Sequence, residues 1–78
     1  MADTTGQAIQ FSSQARIIDQ TNPSITYIGK AKIGSLTSSS VWQIQRITNV
    51  GGLLTIAWAN GNRNFVNVWD NRNILSYS

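Results

Sequence analysis

The tetrapeptide Trp69-Asp70-Asn71-Arg72 places an indole, a carboxylate and a guanidinium within four residues. From such a group a catalytic acid with an electrostatic helper could be built. An acid of that kind works beside a second carboxylate or a nucleophile, and neither accompanies Asp70. The other acids, Asp3 and Asp19, lie far away in the chain, and Glu, Cys and His are absent. Without imidazole or thiol nothing serves as a general base near neutral pH, so Ser38-Ser39-Ser40 has no partner to activate a hydroxyl. Structural zinc loses both of its usual ligand types. The chain therefore reads as a protein without enzymatic activity, cofactor or metal site. Asp70 is expected to cap backbone donors in a turn, with Arg72 pairing with it or stacking on Trp69.

Binding chemistry is the alternative. The basic residues Arg16, Lys30, Lys32, Arg46, Arg63 and Arg72 give a net charge of +3 and a pI near 10.0. They are spread along the chain, whereas nucleic-acid binders concentrate cations on one face. Only Lys30 and Lys32, two residues apart, would share a strand face. Nucleic-acid binding accordingly ranks behind ordinary solvated charge. Trp42 and Trp58 fall at similar places on two strand candidates joined by Gly51-Gly52. They are expected to meet across that pair and to fill the core, since a small domain has few other large apolar groups. Their competing use is a stacking platform for bases or sugars.

The elements that must position these groups are strands. Asn, Gln, Ser and Thr make up 30 of the 78 residues, yet ten Ile, three Trp, two Tyr and two Phe supply a core, a composition suited to half-buried pleated surfaces. Residues 7–11 and 14–18 are short strand candidates, and Asp19 to Ser24, with the one proline, carries turn chemistry. Ile25 to Ile33 alternates, as does Val41 to Val50, in which Trp42, Ile44, Arg46 and Thr48 share a face. Asn49-Val50-Gly51-Gly52 predicts a hairpin into Leu53 to Ala59, and Asn60-Gly61 a second turn. Phe65 to Asp70 fits a short strand or a helical turn, and Ile74 to Tyr77 a closing strand. Five to seven short strands with no long helix predict an all-β fold, a small antiparallel sandwich or barrel. Residues 1–6 read as a flexible N-terminal arm, and residues 7–78 as a single β domain. The arm residues Ala2, Asp3, Thr4 and Thr5 could lie along a neighbouring sheet edge. No stretch is long and apolar enough for a membrane span, and no signal peptide is expected.

Several motifs fall in order along the later two thirds of the chain. Thr26-Tyr27-Ile28-Gly29-Lys30-Ala31 and Gly34-Ser35 precede Val41-Trp42-Gln43-Ile44-Gln45-Arg46-Ile47. Trp58-Ala59-Asn60-Gly61 follows, then Phe65 and Trp69-Asp70-Asn71-Arg72 with Leu75 and Tyr77. This series resembles small structural proteins of tailed bacteriophages. The resemblance implies a multi-copy, all-β virion component made in the host cytoplasm, either a capsid decoration or cement protein or part of the neck or tail. Its partners would be other virion proteins and copies of itself. Trp42, Arg46, Trp58, Trp69, Asp70, Arg72 and Tyr77 would hold the domain together. A nucleic-acid-binding module and a carbohydrate-binding, tail-associated domain are the alternatives.

Overall fold

A computed structural model describes residues 14–78. The arm with Ala2, Asp3, Thr4 and Thr5, and the strand candidate at 7–11, lie outside the described residues. Four strands follow one another as an antiparallel meander: β1 (Gln14–Asn22), β2 (Ile25–Lys32), β3 (Ser40–Val50) and β4 (Leu53–Trp58). A two-residue strand, β5 (Asn67–Val68), pairs with the first residues of β3 beyond the reach of β4. A single 3-10 turn covers Trp69–Asn71. The domain is thus all-β and antiparallel, as the alternation predicts. Among the described residues no pairing joins β1 to β4, so the sheet stays open rather than closing into a barrel.

Local chemistry accounts for the turns. Asn22 Oδ1 accepts from the Ser24 amide (2.8 Å), which confines the β1–β2 turn to Pro23-Ser24 and lets β1 run further than its composition suggests. The register slips between Asp19 and Asn22. There the Asp19 carboxylate binds the Thr21 amide (3.0 Å) and offers the backbone a local alternative to the ladder. The β3–β4 hairpin turns on Gly51 (φ 59) and Gly52 (φ 88), flanked by the pair Val50 and Leu53. Two positive φ values in a two-residue loop match the twist of the strands, and glycine adopts them without strain. The ambiguous segment at 65–70 contains both expected forms, a strand pair and then a 3-10 turn. Ile74 to Tyr77 forms no strand; a single bridge joins Ala59 and Tyr77.

Strand alternation gives the sheet two faces. On one, Ala31, Trp42, Ile44, Ala59 and Trp69 are buried, with Ala15, Ile17, Tyr27, Leu75 and Tyr77 packed against them. Among the described residues the C-terminal segment, not a second sheet, covers this face. It brings Trp69 against Trp42, with ring centroids 6.0 Å apart. Gly29 makes that approach possible, since a side chain there would meet both indoles.

Candidate functional site

Most residues of the motif series collect on the covered face, where they build structure. Trp42 is 1% exposed, and its indole N–H donates to the Leu36 carbonyl (2.9 Å). The Arg46 guanidinium lies over the Tyr77 ring (4.7 Å), and its Nε is buried without a hydrogen-bond partner among the described residues. Such a cation is held by the ring quadrupole and by its aliphatic stem. Tyr77 donates its hydroxyl to the Arg72 carbonyl (2.7 Å) and packs at 5.9 Å from Tyr27. Burial is the main reason the Tyr77 hydroxyl titrates late, raised to about 12, with the nearby Tyr27 adding to it and Arg46 and Arg72 opposing.

Arg72 departs from its expected pairing. It stacks on Trp69 (4.7 Å), as the tetrapeptide suggests, but its ion pair runs to Asp19 (Nε to Oδ2, 2.8 Å) and not to Asp70. Asp70 is exposed, and among the described residues no side-chain hydrogen bond involves it. Its amide, rather than its carboxylate, ties the cover down, donating to the Thr37 carbonyl (3.2 Å). A guanidinium 53 positions from its acid leaves no local signal, so the Asp19–Arg72 pair is invisible in the sequence.

The Asp19 carboxylate is held well below the usual range, at about 2 against an ordinary 3.8. The Thr21 hydroxyl is the largest cause, followed by the Thr21 amide and the Arg72 guanidinium. A depressed folded-state pKa contributes stability above the unfolded value, lost as pH falls through the folded one. We therefore expect the urea midpoint to drop between about pH 4 and pH 2. Asp19→Asn should lower the midpoint at pH 7 and flatten that acid limb; an unchanged limb would contradict the assignment. A solvent-open cleft of about 410 Å³ lies beside this carboxylate, lined in part by Pro23, Tyr27 and Asn73. Among the described residues Asp19 is the one acid that lines it.

Trp58 is the other departure. Its cross-strand partner is Gln45, which puts it on the opposite face from Trp42. Trp42 pairs with Asn67 of β5 instead. Trp58 is half-buried, at the edge of a second face that the C-terminal cover leaves open and that the Arg63 carbonyl reaches at Gln43. Three successive rows cross this second face. Arg16, Lys30 and Gln43 form the first; Ile18, Ile28, Gln45 and Trp58 the second; Thr26, Ile47 and Ile56 the third. Ile18, Leu54 and Ile56 are 56%, 62% and 57% exposed. Alternation alone identifies the members of each strand face, but which face the C-terminal segment covers is a tertiary outcome.

Compared with protein families, with curated proteins and with solved structures, the chain matches none.

Proposed function

We propose that this chain is a virion structural protein of a tailed bacteriophage that works by protein–protein binding, with copies joined through the uncovered face of the sheet. One observation carries the reading. After the C-terminal segment has covered the Trp42 face, Ile18, Ile28, Ile47, Leu54, Ile56 and Trp58 remain on a face without a described cover. Contiguous apolar surface of this kind marks an interaction site. The ordered motif series supplies the phage context.

A second copy is the occupant that fits. These rows carry aliphatic and amide side chains, so few charges have to be desolvated when the face meets itself. A two-fold axis lying in the sheet plane and across the strands makes the apolar rows face each other while the two basic ends point apart. An axis along the strands would stack Arg16 and Lys30 on their own copies, which repel. Four strands spaced about 4.8 Å apart, over six residues at about 3.3 Å each, cover on the order of 800 Å² across both copies. That area is below the roughly 1,200–2,000 Å² of a stable standard interface. It suits a contact that is weak alone and firm when repeated through a particle.

Sedimentation of the full chain tests the reading. A concentration-dependent dimer is expected, and Ile56→Asn, a change at an exposed position, should leave a folded monomer. A wild-type chain monomeric at all concentrations would remove the self-contact. Mass spectrometry of purified particles tests the context, and a mature particle lacking the chain would refute it.

A further inference from the structure

We propose that the basic end of the open sheet face binds a single-stranded nucleic acid, with Arg16, Lys30 and Lys32 on its phosphates and the Trp58 indole stacked on a base. Arg16 and Lys30 are direct cross-strand partners, and Lys32 follows two residues along β2 on the same face. Their Cα atoms therefore stand about 5 and 7 Å apart on adjoining strands. The Arg63 carbonyl accepts from Gln43 Nε2 (2.9 Å), which brings its main chain to the row of Lys30. Three of the chain's six basic residues thus share one end of one face. Arg46 and Arg72 are stacked on rings on the covered side.

The acids are placed oppositely. Asp19 faces the covered side with Arg72, and Asp70 lies in the C-terminal cover, so no acidic side chain lies on this face among the described residues. A patch of one sign on a low-dielectric wall attracts a polyanion. Gln43 and Gln45 add amides that can donate to and accept from base edges. Half-buried Trp58, one row from the cations, offers the flat apolar surface on which an unpaired base stacks. A paired base has no free face to offer, so the arrangement favours a single strand over a duplex. Trp58 also borders the apolar rows, so an oligonucleotide and a second copy compete for it. The site does not depend on self-association, and Ile56→Asn isolates it.

The test uses the full chain carrying Ile56→Asn and a fluorescently labelled twelve-nucleotide oligothymidylate. Three phosphate contacts predict a slope of about −2 for log affinity against log salt, so binding weakens about twentyfold between 50 and 200 mM salt. With Lys30→Gln and Lys32→Gln added, both exchanges on the sheet surface, the slope should shrink to about −0.7 and the loss to about threefold. The oligothymidylate should quench Trp58 fluorescence, while heparin, a polyanion without bases, should not. No anisotropy change at 50 mM salt would overturn the proposal, as would a slope unmoved by the lysine exchanges. Heparin or a duplex of equal length binding as tightly, with Trp58 unquenched, would overturn it too.

Discussion

Gly29→Ala should be among the most damaging single-methyl additions in this chain, costing about 3 kcal/mol. A Cβ at Gly29 would sit 2.5 Å from Cε3 and 2.7 Å from Cζ3 of Trp69, and 3.2 Å from Cε3 of Trp42. Neither indole can give way easily. Trp42 is 1% exposed and tied to the Leu36 carbonyl, while Trp69 is 5% exposed and pinned under Arg72. The alternative is for the C-terminal cover to lift, which uncouples Arg72 from Asp19 and Tyr77 from Arg46. A typical strand glycine behaves the other way, gaining about 0.5–1 kcal/mol on replacement by alanine because the unfolded chain loses freedom. At about 0.05–0.15 kcal/mol per residue, a domain of this size has little stability to lose. Urea unfolding followed by indole fluorescence reads the difference. A variant as stable as wild type would mean that the two indoles do not meet over Gly29.

The second large effect separates two tryptophans that the sequence treats alike. Trp42→Ala should cost about 3–5 kcal/mol, since it empties a fully enclosed site. It also leaves the Leu36 carbonyl without the indole donor that it accepts from in the folded chain. Trp58→Ala should cost about half as much, because the residue is only half-buried. Matched denaturation curves on the two variants decide the point. Equal losses would show Trp58 enclosed on both sides, and the uncovered face would then not be free for a partner.

The difference between these indoles shows where the sequence stops being informative. Period-2 alternation assigns Trp42, Ile44 and Arg46 to one face of β3 because side chains on a strand must alternate. Gly51-Gly52 fixes the β3–β4 hairpin because few other residues tolerate two positive φ values. Yet the sequence pairs Trp42 with Trp58 only because they fall at similar places on the two strands that this turn joins. The register shows otherwise, setting Trp58 against Gln45 and turning it to the far side. The single parity difference sends one ring into the core and the other to the candidate interface.

The same holds for charge. Along the chain Arg16 and Lys30 stand fourteen positions apart and look unrelated, but the antiparallel register makes them neighbours. Arg72 sits two residues from Asp70 and pairs instead with Asp19, because the 3-10 turn aims the guanidinium across the sheet. Alternation, turn chemistry and composition are local properties, so the amino-acid order alone settled an all-β antiparallel domain and the membership of each strand face. Which face the C-terminal segment would cover, and hence which side stayed open with its cations and Trp58, depended on contacts between residues distant in the chain. Trp69 over Gly29 is one of those contacts, and no local pattern encodes it.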